Sequence, residues 1–127
     1  MAAFDSVSRE LLEKCEFFAI VTQGTDGPHV VGNWGHYARK LGIDEARIVL
    51  PAGGYQKTEE NLQRDPRVQV LAASQAVHGT RKPGQGGVLH GTGSIHTEGE
   101  LAERAKAAFP WARGALVIDF ERSAMQL

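Results

Sequence analysis

The sequence of 127 residues predicts a mainly β protein, a small antiparallel barrel with short accessory helices. Six apolar or alternating runs have the length and the β-branched and aromatic content of strands. Turn signals rich in Gly, Asp and Pro separate several of these runs, and segments with helical spacing stand at the ends and in the connections. Because there is no internal repeat, heptad or low-complexity segment, these elements favour one antiparallel barrel.

The composition limits the function classes that fit this chain. Hydrophobic residues make up 42% and charged residues 23%, which is ordinary for a soluble domain. The formal net charge of −1 excludes a broad electrostatic footprint for nucleic acid or for an anionic membrane. Cys15 is the only cysteine, and no signal-peptide pattern or membrane-length apolar run is visible. We therefore expect a single cytoplasmic domain over residues 1–127.

The N-terminal segment predicts a helix of about ten residues. Asp5 is a favourable N-cap, and Glu10 with Lys14 forms an i,i+4 ion pair. Apolar residues recur behind the cap at helical spacing: Phe4, Val7, Leu11 and Leu12. Cys15 follows at the junction with the next strand, where we expect a buried and unreactive thiol.

A β-hairpin is predicted next. Phe17 to Thr22 has the composition of a buried strand, and Asp26-Gly27 is a strong hairpin signal. The return strand is predicted from His29 to Tyr37. It is interrupted by Gly32 and Gly35, which suggest a bulge or a surface on which something flat lies close.

A polar turn around residues 40–45 leads to a predicted strand from Arg47 to Leu50 and then to a glycine turn. Pro51 is expected to end the strand ladder, while Gly53 and Gly54 allow a close backbone approach. Thr58 is the predicted N-cap of the following helix. Free N–H groups at a helix start beside a lysine and a hydroxyl suit an anion, phosphate especially, although an ordinary strand–turn–helix connection has the same pattern. Lys57 supplies the charge, and the neighbouring Glu59 and Glu60 must then point away.

The second half of the chain predicts three more strands and a helix. The helix that carries Lys57 is expected to end at Asp65-Pro66. The predicted elements that follow are a strand over 67–74, a long glycine-rich loop over 75–87, a strand over 88–97, a helix from about 99 to 109 and a last strand over 115–120.

No catalytic or metal-binding group stands out. His90 and His96 share a strand face but lie about 20 Å apart at strand rise, so they cannot bind one ion. No P-loop, dinucleotide fingerprint or nucleophile–base set is present. Trp34 and Trp111 can be plain core residues. Flat residues beside glycines, with an anion-suited helix start, also describe a pocket for a phosphorylated aromatic cofactor.

Several motifs, in order and at matching spacing, resemble one known family. They are Thr22 to His29, Trp34 with Tyr37, Pro51 to Asn61, Arg64-Asp65, Trp111 to Ile118 and the terminal Leu127. The sequence resembles the small FMN-binding proteins of sulfate-reducing bacteria, within the pyridoxamine 5′-phosphate oxidase-like split-barrel superfamily. The resemblance runs from about Phe17 to Leu127.

The resemblance implies a six-stranded antiparallel Greek-key split β-barrel that forms a homodimer. One FMN per subunit would bind non-covalently near the subunit interface. Lys57 and Thr58 would hold the phosphate, with Asn61 a weaker candidate, and Leu127 would reach the flavin of the other subunit. The remaining positions would line the flavin ring: Val31, Gly32, Asn33, Trp34, Leu50, Pro51, Ala52, Gly53, Gly54 and Trp111.

The sequence departs from the family pattern on both sides of Trp34. Gly32 and Asn33 replace an Asn-Thr pair, and Gly35-His36 replace Asn-Ser. A side-chain hydrogen bond to the flavin can therefore be lost or relocated at this strand.

The function predicted from these residues is an FMN-binding redox or electron-transfer protein, because no acid, base or nucleophile accompanies the cofactor-shaped constellation. An alternative is a flavin-dependent oxidoreductase of the pyridoxamine 5′-phosphate oxidase-like type, in which Arg81 and Lys82 would bind a phosphorylated small molecule. A third reading is a module that binds heme or a deazaflavin or stores FMN. The expected partners are a second copy of the chain and a redox protein, without nucleic acid or membrane.

Overall fold

One curled sheet of six antiparallel strands and four short helices make up the fold of residues 5–127, which the computed structural model describes. The strands are β1 Phe17–Gly24, β2 Gly27–Trp34, β3 Arg47–Ala52, β4 Arg67–His78, β5 Pro83–His96 and β6 Gly114–Met125. The helices are α1 Ser6–Lys14, α2 Gly35–Leu41, α3 Gln56–Arg64 and α4 Glu100–Ala108.

The strand order is β2-β1-β4-β5-β6-β3, so two strands that are consecutive in the chain, β2 and β3, lie at opposite edges of the sheet. Curling of the sheet into a half-barrel brings these two edges towards each other, since the Asn33 side chain at the end of β2 donates to the Pro51 backbone carbonyl of β3. The prediction of a mainly β, six-stranded antiparallel split barrel is confirmed.

The main core lies inside the curl of the sheet, under α1 and α3. It contains the fully buried side chains that alternate along the strands, among them Phe18, Ile20, Val70, Leu89 and Ile118. Because successive strand residues point to opposite faces, their neighbours along each strand face outward. A smaller cluster around Val49, Ala105 and Phe109 packs α4 and α2 against β3 and β6.

The first helix follows its sequence signals. Asp5 Oδ1 accepts a hydrogen bond of 2.8 Å from the Ser8 backbone N–H, and Lys14 Nζ lies 2.9 Å from Glu10 Oε2. Leu11 and Leu12 are fully buried. Phe4, which the sequence pattern also placed on this helix, lies outside the described residues.

The β1–β2 hairpin is confirmed, but the predicted extent of β2 is wrong. Gly24 and Gly27 pair across a two-residue turn. The strand ends at Trp34 instead of Tyr37. The helix α2 occupies the last residues that were predicted as strand and the first residues of the predicted polar turn. A Cβ on Gly35 would lie 2.0 Å from the Cys15 carbonyl oxygen, so this glycine serves the close packing of α2 on the end of α1.

Pro51 does not end the third strand, contrary to the sequence-based expectation. β3 continues to Ala52, and Pro51 pairs in register with Ala115. The strand tolerates a proline because β3 is an edge strand of the described sheet, so at Pro51 one side of its backbone needs no ladder hydrogen bond.

The long loop predicted over residues 75–87 is also wrong. β4 extends to His78 and β5 begins at Pro83, so a short turn joins two long strands. The glycines at the start of β5 give no alternation of apolar and polar side chains, so the sequence pattern does not indicate a strand there. The ladder needs only their backbone groups; Ala72, for example, pairs with Gly87. The other elements of this half match prediction in type, and β6 runs five residues further than expected, to Met125.

Within residues 5–127, none of the helices is long and apolar enough to span a membrane.

Candidate functional site

The turn between β3 and α3 sits at the point where the two sheet edges meet. The helix begins at Gln56, and its N-cap is Tyr55 in the left-handed conformation, with φ 66° and ψ 27°. Thr58 was predicted as the N-cap, and this prediction is wrong because the left-handed residue turns the chain into the helix three positions earlier. The first intrahelical bond runs from the Glu59 N–H to the Tyr55 carbonyl, at 2.8 Å.

Thr58 presents an unpaired polar atom in this first helical turn. Its side chain is fully buried, and its Oγ1 has no hydrogen-bond partner within the part of the chain that the structure describes. Buried hydroxyls are ordinarily satisfied, and an orphan costs free energy. The N–H groups at the start of α3 also lack intrahelical partners, and Lys57 is exposed beside them. This combination of donors fits an anion such as a phosphate.

Arg113 completes the turn, and the sequence analysis did not assign it a role. Its Nε donates to the Gly54 carbonyl at 2.9 Å, and its Nη2 lies 2.9 Å from Glu59 Oε1. The Glu59 charge, which counted against an anion at this helix start, is therefore paired with a guanidinium. The only sequence signal for this role was the cationic side chain of Arg113 directly after Trp111-Ala112. The fold was needed to show that this side chain lies beside α3.

Asn61 is directed into the protein. It is almost fully buried, and its Nδ2 donates to Thr22 Oγ1 at 3.0 Å. Arg64 Nη2 approaches its Oδ1 at 3.5 Å. The amide thus joins α3 to β1, one turn after Thr58. In this structure its role is to hold the helix against the sheet.

Two side-chain hydrogen bonds join the predicted ring-lining segments of β2 and β3. Asn33 Nδ2 donates to the Pro51 carbonyl at 3.2 Å. The Tyr55 hydroxyl donates to the Gly32 carbonyl at 2.6 Å, and its burial raises the pKa of the phenol. The structure therefore brings both predicted walls together, and the side chain of Asn33, which departs from the family pattern, bonds the protein's own backbone.

The surface at Gly32 is covered by an aromatic ring of the same chain. A Cβ at Gly32 would lie 1.9 Å from Cζ of Phe17. Phe17 in turn packs edge-to-face on Trp34, with ring centroids 5.2 Å apart. The flat group expected to lie close to this glycine is thus Phe17, and the Phe17–Trp34 pair forms an exposed aromatic end of β2.

Trp111 lies over the glycine turn. It is 54% exposed, and a Cβ on Gly53 would come within 3.0 Å of its ring. The indole also packs against Phe109 and Tyr37, at centroid distances of 5.6 and 5.8 Å. An aromatic face this exposed, held beside backbone without side chains, can cover one side of a flat ligand.

The remaining predicted residues divide into core and a distant groove. Leu50 and Ala52 are fully buried and Val31 packs on the core, so these positions offer backbone to a ligand. Leu127 lines a groove of about 710 Å³ with Arg81 and Lys82, and the other predicted site residues are not among the groove's lining residues. Within one chain, the fold does not bring Leu127 into the site.

Cys15 belongs to the main core. The thiol is fully buried, as expected, and burial raises its pKa to about 11, so it is protonated and unreactive at neutral pH. Residues 5–127 contain no cluster of three or more potential His, Cys, Asp or Glu metal ligands.

Comparison with known proteins gives a family and a relative. The family described as pyridoxamine 5′-phosphate oxidase matches residues 4–126. The FMN-binding protein of Nitratidesulfovibrio vulgaris is 46% identical over 109 residues, which cover 86% of this chain and 87% of the relative.

Solved structures share the fold at low identity. A variant of HupZ from Group A Streptococcus superposes with a TM-score of 0.73 at 16% identity, covering 96% of this chain and 98% of that one. An FMN-binding protein from Syntrophomonas wolfei superposes with a TM-score of 0.59 at 19% identity, covering 94% and 88%. The likeness to these structures concerns the fold.

Proposed function

The chain belongs to the pyridoxamine 5′-phosphate oxidase family, and on this premise we propose that it is a flavoprotein that binds FMN non-covalently. The observation that carries the proposal is the buried, unpaired hydroxyl of Thr58 in the first turn of α3. A phosphate there accepts from this hydroxyl, from the free N–H groups of the helix start and from Lys57. The 46% identical relative, named an FMN-binding protein, supports the same ligand.

The residues around the turn would hold and orient the rest of the ligand. Backbone of Pro51 to Gly54 would line one edge of the flavin ring, while Trp34 and Trp111 are exposed aromatic faces suited to exclude water from it. When bound, FMN supplies electron transfer, which protein side chains lack. The protein then contributes binding, orientation and the polarity that sets the reduction potential.

We favour an electron-transfer or other redox role because, among the described residues, the side-chain hydrogen bonds at the turn include no nucleophile–base pair. Burial keeps Cys15 protonated, and the Tyr55 hydroxyl is engaged with the Gly32 carbonyl. A redox protein in the cytoplasm would be the partner on this proposal. A cytoplasmic flavin carrier would need no further catalytic residues.

A homodimer is part of the proposal, and an exposed apolar face supports it. Phe17, Val30, Trp34 and Leu71 are all more than 40% exposed. Cross-strand pairing places them together on the outer face of β2, β1 and β4. Patches of this kind are uncommon on monomers, and a second copy can cover the same patch symmetrically. Leu127, which is 64% exposed, would then approach the flavin of the other subunit.

The visible absorption spectrum of protein purified without added cofactor tests flavin binding first. We expect the two bands of an oxidised flavin, which bleach on reduction with dithionite, and release of FMN on denaturation. Titration of the flavin-free protein should saturate at one FMN per chain. A colourless protein that takes up no added FMN would overturn the proposal.

The groove beside Leu127 favours oxidoreductase activity as a second candidate function. Arg81 and Lys82 line this groove, and two cations suit a phosphorylated small molecule. Oxygen consumption stoichiometric with added pyridoxamine 5′-phosphate would establish the activity. If Arg81→Ala and Lys82→Ala leave such turnover unchanged, the groove is not the substrate site.

A further inference from the structure

Tyr55 has a conformation that needs an explanation from its surroundings. It is the one non-glycine residue with positive φ among residues 5–127, at φ 66°. A residue with a Cβ is disfavoured in this region, and the conformation persists only where other contacts enforce it. Here the half-buried Tyr55 side chain packs against the core, and its hydroxyl makes a hydrogen bond of 2.6 Å to the Gly32 carbonyl.

This bond crosses the seam between the two edges of the sheet. β2 and β3 are the first and last strands of the order, and no strand ladder joins them. Two side chains connect their ends: Asn33 reaches the Pro51 carbonyl, and Tyr55 reaches the Gly32 carbonyl. Arg113 fastens Gly54 to α3 but makes no described hydrogen bond to β2.

The position of Tyr55 in the chain explains why its bond to Gly32 matters for the ligand site. Lys57 and Thr58 follow it by two and three residues in the first helical turn, and Gly54 precedes it. The Gly32 carbonyl belongs to the strand that ends in Trp34. The hydroxyl therefore couples the helix start, which suits a phosphate, to the wall that suits a flat ring.

We propose that Tyr55 is a positioning residue. Its bond to Gly32 sets the spacing between the anion-binding turn at Lys57 and Thr58 and the exposed aromatic end of β2 at Trp34. The protein thereby selects a ligand that carries both a ring and a phosphate over the same ring without phosphate. This inference rests on the proposed function and deepens it.

The variant Tyr55→Phe removes the hydroxyl and keeps the ring and the backbone requirement. We expect its affinity for FMN to fall about three- to tenfold, the range for loss of one hydrogen bond. Its affinity for riboflavin should change less than about twofold, because riboflavin lacks the phosphate that the turn holds. The FMN-to-riboflavin preference therefore falls, whereas general destabilisation would weaken both ligands alike.

A second readout uses the flavin-free protein. Hydrogen exchange of the amides over residues 53–58 should be faster in Tyr55→Phe, with exchange in α4 unchanged. Tyr37→Phe is the matched control, since within the described residues the Tyr37 hydroxyl makes no hydrogen bond. It should leave both the exchange of 53–58 and the ligand preference as in the wild type.

The outcomes separate this inference from the proposed function. If the wild-type protein binds no flavin, the proposed function fails, while unchanged exchange in Tyr55→Phe would independently show that the bond positions nothing. If the wild type binds FMN and Tyr55→Phe keeps the same FMN-to-riboflavin preference, the inference is wrong and the function stands. A reduced preference with faster exchange supports both.

Discussion

Thr58 and Lys57 carry the anion-binding character of the site at the scale of single residues. One is a fully buried hydroxyl without a partner in the described chain, and the other is an exposed ammonium group beside it. Arg113 removes the main electrostatic objection by pairing with Glu59 at 2.9 Å. Substitution should distinguish the two groups, because only loss of the buried hydroxyl is expected to change the stability of the flavin-free protein.

Replacement of Lys57 by alanine should weaken FMN binding by about 1.5–3 kcal/mol, the range for a hydrogen bond to a charged group. The measurement is a titration of flavin-free protein followed by flavin fluorescence. Lys106→Ala is the matched control, since it removes the same charge from α4, where Lys106 donates to the Thr97 carbonyl. Equal affinities of the two variants would remove Lys57 from the phosphate site.

Thr58→Val should have opposite effects on stability and on binding. Without ligand, removing an unpaired buried hydroxyl should raise the free energy of unfolding by about 1 kcal/mol. With FMN, the lost donor should weaken binding by a similar or larger amount. Urea unfolding and FMN titration measure the two effects.

The control for that experiment is Thr22→Val, which removes a hydroxyl that accepts from Asn61 at 3.0 Å. It should destabilise the flavin-free protein by about 1–3 kcal/mol, because the Asn61 amide loses its partner. If Thr58→Val destabilises the flavin-free protein to the same extent, its hydroxyl is satisfied and does not mark a ligand site.

At the scale of elements, the ends of helices and strands decide where the functional groups lie. α3 begins at Gln56 because Tyr55 adopts the left-handed conformation, and this places Thr58 inside the first turn instead of at the cap. β3 extends through Pro51 because an edge strand tolerates a missing N–H. In α1, by contrast, the side chain of the N-cap Asp5 sets the helix start. The stability that this cap contributes therefore depends on pH.

The cap of α1 should contribute stability that depends on pH. The Ser8 N–H bond to Asp5 lowers the pKa of that carboxyl below 3.8, so the contribution is present above the unfolded-state pKa and is lost as the pH falls through the folded-state pKa. At pH 7, Asp5→Ala should cost about 1 kcal/mol of unfolding free energy.

Asp5→Asn provides the comparison, since it keeps a capping oxygen that does not titrate in this range. The difference in urea stability between wild type and Asp5→Asn should shift towards the variant as the pH falls from the unfolded-state pKa through the lower folded-state pKa of Asp5. A constant difference over that interval would show that the carboxylate is not the capping group.

At the scale of the whole molecule, the proposed homodimer requires that the exposed apolar face and Leu127 contact a second chain. The Leu127 backbone is fixed, since its N–H donates to Gln85 Oε1 at 2.8 Å and its carbonyl accepts from the Thr80 N–H at 2.9 Å. Its side chain nevertheless remains exposed. A leucine held firmly in an exposed position is suited to contact another molecule.

Leu127→Ala should leave the C-terminal backbone bonds in place while removing the apolar cover that the dimer proposal requires. We expect iodide to quench the bound flavin more strongly and the reduction potential to change, while light scattering still reports a dimer. Deletion of Leu127 should produce the same changes and also release Gln85. Unchanged quenching and potential in a dimeric Leu127→Ala protein would contradict the cross-subunit contact.

How much of this protein its sequence determines can be stated for particular elements. Asp5 and the Glu10–Lys14 pair specify α1, Asp26-Gly27 specifies the first hairpin, and the alternation of Val68, Val70 and Ala72 specifies β4. These signals act between residues close in the chain or arise from the period of one strand, so a linear reading detects them. The motif around Lys57 likewise predicts an anion-suited turn.

Only the tertiary structure decided the contacts that cross the sheet. Arg113 meets Glu59 across 54 residues, and Tyr55 meets Gly32 across 23. The glycines of β5 and the helix α2 escaped prediction because backbone pairing and close packing, as at Gly35, leave no side-chain period. The sequence therefore determined most of the elements and the residue types at the turn, while the closing of the half-barrel decided which groups meet there.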